Sequence, residues 1–186
     1  MTIIAIIGPD GCGKTTQARM LVNRLSEIGC NTIYIHPTFL LLNVLTLSKS
    51  RHASPVSPRR AYTSQMNSPK KLSIQRMSMG LLGYLYALAT YVYIKLYLDR
   101  SRMVVCDRYF YQFFFDLFGK GSEKIARFFP KPDVAFLLDA DLDVFYSRMI
   151  SSFDASVSRD YYTDVIDLYR TLSQKICFHS SRCKSQ

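Results

Sequence analysis

The sequence predicts an α/β protein, a three-layer sandwich with helices on both faces of a mainly parallel sheet. Three observations predict it. An apolar, β-branched run at residues 2–7 passes through a glycine-rich turn into a helical pattern, and a second strand-like run follows at 31–35. Two further apolar runs, 103–106 and 134–138, each lead into an aspartate. Helical patterns fall between these runs, the alternation that builds parallel sheets. With 186 residues, a single domain spanning 1–186 is expected.

Each element has its own signal. Residues 2–7 carry no polar alternation, as befits a strand covered on both faces. From Lys14 the period changes: Ala18, Leu21, Val22, Leu25 and Ile28 share one helical face, and Gly29 is a fitting stop. Residues 48–71 hold prolines and serines and no acid, and read as a mobile basic loop. Residues 72–98 are apolar and rich in tyrosine, the pattern of one or two helices. Residues 110–118 form the next helix, closed by Gly119 and Gly121. Residues 142–150 and 161–175 read as two more helices, and the polar tail after Lys175 has no assigned element. No internal repeat is present.

The turn after the first strand carries the chemistry. Gly8, Gly13, Lys14 and Thr15 satisfy G-x-x-x-x-G-K-[ST], the phosphate-binding loop of P-loop NTPases. Glycines let the backbone wrap a phosphate with no Cβ in the way. Consecutive N–H groups form an anion nest, and the helix that follows adds its positive end. The cradle comprises Gly8, Asp10, Gly11, Cys12, Gly13, Lys14, Thr15 and Thr16. Lys14 can reach the β- and γ-phosphates, and the Thr15 hydroxyl can ligate the accompanying Mg²⁺. ATP and Mg²⁺ are therefore the expected cofactors.

Composition narrows the partners. The net charge of +10 favours anions: phosphates, nucleic acid or an acidic membrane surface. Five cysteines without a CxxC do not make a disulfide framework, and reduced thiols in the cytoplasm are the simplest account. Cys177, His179 and Cys183 lack the fourth ligand and paired spacing of a metal site. The first apolar run is too short for a signal peptide. Residues 79–98 approach the length of a membrane span. A span there would put strands 2–7 and 103–106 on opposite sides of a membrane, so no transmembrane span is expected. The segment reads instead as a core helix with a face left over for a dimer partner.

Several stretches resemble the thymidylate kinase family. "GPDGCGKTTQ" at 8–17 is similar to its loop, with Asp10 between the glycines and Gln17 after the threonines. "VVCDRYFYQ" at 104–112 resembles its Asp-Arg-Tyr segment, and 130–149 and 161–172 resemble its next strand and the helix after its lid. The resemblance implies a P-loop kinase that moves a phosphoryl group from ATP to a nucleoside monophosphate. Asp107 would hold Mg²⁺ with Thr15. Arg108 would hold the acceptor phosphate in line, and Asp10 would sit near the acceptor. Where some members carry a loop arginine this chain has Gly11 and Cys12, so Arg148 and Arg159, flanking a lid at 149–160, are the candidate catalytic cations.

The sequence also departs from that family. "YIHPTF" puts His36 and Pro37 where an acceptor-binding arginine usually stands. No arginine lies among residues 84–93, where one usually reads the base. The sequence ends near where a fifth strand and a last helix are expected. Two alternatives therefore stand beside the nucleoside monophosphate: a sugar, lipid-linked or other small-molecule acceptor, or a regulatory nucleotide-binding module with little turnover. Between Glu27 and Asp99 there is no acid and there are eight bases, including Lys49, Arg51, Lys70 and Arg76. That segment could close on a polyanionic acceptor, rest on an anionic membrane or nucleic acid, or simply be solvated.

Overall fold

The computed structural model describes residues 2–38, 40, 74–98, 100–139, 159–175 and 179–182. The elements run β1 (Ile3–Ile7), α1 (Lys14–Glu27), β2 (Thr32–Ile35), α2 (Ile74–Tyr93) with a π-helical extension Ile94–Leu98, and β3 (Met103–Asp107). They continue through α3 (Phe110–Phe118), α4 (Ser122–Phe128), β4 (Val134–Asp139), α5 (Arg159–Lys175) and β5 (His179–Arg182). The five strands form one sheet in the order β2-β3-β1-β4-β5, and every pairing is parallel. The expected loop 48–71, helix 142–150, Arg148 and most of the lid 149–160 lie outside the described residues.

The apolar runs make the sheet because both of its faces are covered. All five residues of β1 are buried, as are the last four of β3. One layer packs α2, α3, α4 and α5 aromatics and aliphatics on the sheet: Phe110, Phe114, Phe129, Tyr161 and Leu172 are all essentially inaccessible. Ala18 and the partly buried Leu21, Val22 and Leu25 of α1 cover the other face with Ile6, Val105 and Leu138. The expected α1 face is therefore correct except at Ile28, which is 74% exposed beyond the helix end. α2 approaches α3 closely, because a Cβ on Gly80 or Gly83 would collide with Phe118 or Leu117.

Three elements differ from the sequence expectation. β5 is a strand where no element was assigned; it is polar, and only its pairing with β4 places it at the sheet edge. α4 is too short for its period to show, although Ser122, Ala126 and Phe129 all point inward. α2 is less a core helix than expected. Within 80–98 only 17% of the most apolar window is buried, and Leu81, Leu82, Leu85, Val92 and Leu96 are 44–65% exposed. By length and composition this is the one helix among the described residues that could cross a membrane, yet the chain runs from it into β3, the neighbour of β1.

Candidate functional site

The turn between β1 and α1 folds back over the end of the sheet. Its glycines hold positive φ: 147° at Gly8, 83° at Gly11 and 87° at Gly13. At Gly8 space is also short, since a Cβ would lie 2.6 Å from the Leu138 carbonyl oxygen and 3.0 Å from the Cys12 sulfur. Gly13 caps α1, and the Gln17 N–H donates to its carbonyl at 3.0 Å. Thr15 and Thr16 lie exposed on the first turn of α1. Burial pushes the Cys12 thiol up, although Lys14 opposes it, so the loop thiol stays protonated and is a packing group.

Lys14 is 4% exposed and its amine is folded into the loop. Nζ donates to the Pro9 carbonyl at 2.5 Å and pairs with Asp10 Oδ1 at 3.3 Å. Burial, aided by the Arg108 charge, lowers its pKa to about 8 against the pull of Cys12 and Asp107. The energy to bury this amine is recovered when an anion meets it.

β3 lies beside β1 in a register that pairs Asp107 with Ile6, so its last residue arrives next to the loop. The Asp107 carboxylate is 1% exposed. Its Oδ2 accepts two short hydrogen bonds, from Thr15 Oγ1 and from the Tyr34 phenol, both at 2.6 Å. Its Oδ1 is buried with no hydrogen-bond partner among the described residues.

The chain then turns sharply: Arg108 is non-glycine at φ 73°, while its N–H still donates to the Ile6 carbonyl at 3.0 Å. That conformation costs on the order of 1–3 kcal/mol. It lets two consecutive side chains serve one pocket, Asp107 on Thr15 and Arg108 on Asp10, with Arg108 Nη2 2.7 Å from Asp10 Oδ1.

Asp10 is the hub. Its Oδ1 faces both Lys14 and Arg108, and its Oδ2 accepts from Gln112 Nε2 at 3.1 Å. Gln112 also faces Tyr161, whose phenol donates to Asp116 at 2.6 Å. Burial, then the Arg108 charge, lowers the His36 pKa, so this imidazole favours its neutral form and does not replace a cation.

The structure thus brings Gly8, Asp10, Cys12, Gly13, Lys14, Thr15, Asp107 and Arg108 into one site. Arg159 is the exposed first residue of α5, and Arg148 lies outside the described residues. Asp139, the aspartate that ends β4, is 3.6 Å from Arg170. Sequence reasoning missed Gln112 and Tyr34. Gln112 had a usable signal, a lone amide in the otherwise apolar start of α3; Tyr34 had none, because a tyrosine in a strand is ordinary.

The strand beside the loop thus delivers an aspartate to the loop threonine and an arginine to the loop aspartate. The chain is 28% identical over 152 residues, 78% of its length and 67% of the other's, to a probable thymidylate kinase of Sulfurisphaera tokodaii. In sequence and in fold the chain is similar to proteins named thymidylate kinase. The crystal structure of thymidylate kinase from Ehrlichia chaffeensis superposes with a TM-score of 0.59 over 98% of this chain and 92% of that one, at 22% identity. At that identity the second comparison speaks for the fold: the chain shares that protein's α/β architecture. No family model matches the chain.

Proposed function

We propose that the chain is an ATP-dependent phosphotransferase acting on a nucleoside monophosphate. The observation that carries this is the convergence of Thr15 with Asp107 and of Asp10 with Arg108 at one loop. Phosphoryl transfer asks a protein for alignment and charge neutralisation more than for covalent chemistry. Lys14 would leave the Pro9 carbonyl for the donor's β- and γ-phosphates. Arg108 would hold the acceptor phosphate in line, with Asp10 fixing both cations beforehand. Arg148 and Arg159 remain the candidate lid cations.

The residues fit Mg²⁺. Thr15 Oγ1 and the Asp107 carboxylate are hard oxygen ligands 2.6 Å apart, and the unpartnered Oδ1 has charge to offer. Together they would hold a Mg²⁺–ATP complex, the ion neutralising charge on the transferred group. Labelled ATP offered with a panel of nucleoside monophosphates tests the reading. Transfer to at least one is expected, and Lys14→Ala should lower it by on the order of a hundredfold. Transfer only to a non-nucleotide acceptor would favour the second reading, which rests on a neutral His36 where the family has an arginine. Tight ATP binding without transfer would mark a regulatory module.

Two partner readings belong here as well. Leu82, Leu85, Ala89, Val92 and Leu96 lie exposed on α2 and its extension at spacings of three and four, the seam of a paired helix. The stripe is uncharged and nearly symmetric about Ala89, so a second copy crossing antiparallel there would set Leu85 against Val92 and Leu82 against Leu96. The basic segment 48–71 would serve the acceptor side, and Cys12, Cys30 and Cys106 are free thiols, in keeping with a cytoplasmic enzyme.

A further inference from the structure

We infer that Tyr34 is a positioning residue for the metal-binding carboxylate, holding Asp107 in place from outside the phosphate loop. The inference rests on the phosphotransferase reading above and adds a residue that neither the loop motif nor the Asp-Arg segment contains.

Asp107 Oδ2 is fixed by two hydroxyl donors, each at 2.6 Å. They are not equivalent. The Thr15 hydroxyl belongs to the loop and would also ligate the cation through a lone pair, so its position depends on the loop and on what the loop holds. The Tyr34 phenol comes from β2, on the other side of β3, where Tyr34 pairs with Val105. It has no part in the loop and can stay. A neutral donor on Oδ2 fixes the carboxylate's rotation and leaves the buried Oδ1 open to a cation. The ring itself is held: the Arg19 guanidinium lies 5.7 Å from its centroid, and Tyr34 packs against the buried cluster that includes Ile6, Ala18 and Val105. A tyrosine serving only as packing would not need its hydroxyl.

Tyr34→Phe keeps the ring and removes that hydroxyl. Manganese affinity is read by electron paramagnetic resonance of the free ion, with the protein saturated by a non-hydrolysable ATP analogue. The manganese Kd should rise by on the order of tenfold, with the Mg²⁺ concentration for half-maximal turnover rising in parallel and the acceptor KM changing less than twofold. In fluorotyrosine-labelled protein, the fluorine resonance that disappears in Tyr34→Phe should shift when Mg²⁺ is added to the analogue complex. This second measurement uses the native side chain and holds even if the variant folds poorly. A manganese Kd within about twofold of the parent in a folded variant, or a resonance indifferent to Mg²⁺, overturns the inference alone. Failure of the parent protein to bind the manganese–nucleotide pair overturns the phosphotransferase reading as well.

Discussion

Replacing Lys14 by Met should abolish turnover and yet stabilise the protein at neutral pH. The amine is 4% exposed, and burial has brought its pKa from the usual 10.5 to about 8. A shift of that size corresponds to about 3 kcal/mol disfavouring the charged form in the folded state. The variant loses the bond to Pro9 and the contact with Asp10, worth about 1–2 kcal/mol, so a net gain of roughly 1–2 kcal/mol is expected at pH 7.

The sign with pH follows from linkage. The folded pKa lies below the unfolded one, so both states are protonated below pH 8 and the penalty is complete there. Between about 8 and 10.5 the unfolded chain binds the extra proton, and the parent protein gains stability as pH rises. Urea unfolding of parent and variant, with chelator and without nucleotide, at pH 7 and pH 10 reads the difference. The variant's advantage should shrink or reverse by roughly 2–3 kcal/mol between the two, with Cys12, whose thiol Lys14 influences, replaced by Ser in both proteins so that the remaining thiol titrations cancel. A stability gap independent of pH would refute the claim that this amine is buried at a cost.

Three further outcomes are expected. Asp10→Asn leaves Lys14 and Arg108 facing each other without their shared carboxylate; it should cost roughly 3–5 kcal/mol in chemical denaturation, and millimolar sulfate should restore more stability to it than to the parent. Gly8→Ala places a Cβ against the Leu138 carbonyl at a φ suited to glycine, so it should lower stability by roughly 3 kcal/mol in the same assay and abolish nucleotide binding by calorimetry. Ala89→Glu, on the exposed stripe of α2, should leave the unfolding free energy within about 0.5 kcal/mol for the monomer and convert a dimer to monomer in light scattering; a parent monomeric at high micromolar concentration would reject the helical pairing.

Much of the fold was legible because its strands are covered on both faces. Residues 3–7, 103–106 and 134–138 are short apolar runs that each end at a turn or an aspartate, unlike the 20-residue apolar helix α2. β5 was not legible, since an edge strand with the sequence His-Ser-Ser-Arg is specified by the backbone of β4 and not by its own side chains. In the site the loop was plain, because phosphate wrapping demands glycine at fixed offsets. Asp107 and Arg108 were placed by the strand that ends at them. What did not show was the support. Tyr34 and Gln112 act across separations of 73 and 102 residues along the chain, and only folding brings them to Asp107 and Asp10 respectively.

The charge of the site explains why the rest of the chain is so basic. Lys14 and Arg108 are matched by Asp10 and Asp107, and His36 favours the neutral form, so the described core of the site is close to electrically balanced. A balanced pocket is stable by itself but cannot neutralise a triphosphate and an acceptor phosphate at once. Mg²⁺ can offset two of those charges, and the remainder must come from residues that approach when substrate does. The chain carries a net +10, and its acid-free stretch between Glu27 and Asp99 includes β2 and reaches almost to β3. Cations supplied from outside the pocket would avoid the desolvation that Lys14 already suffers, and would add attraction for anionic substrates at long range. Turnover should therefore fall with ionic strength through the substrate KM values more than through kcat, and a kcat that falls while both KM values hold would place the missing cations inside the pocket from the start.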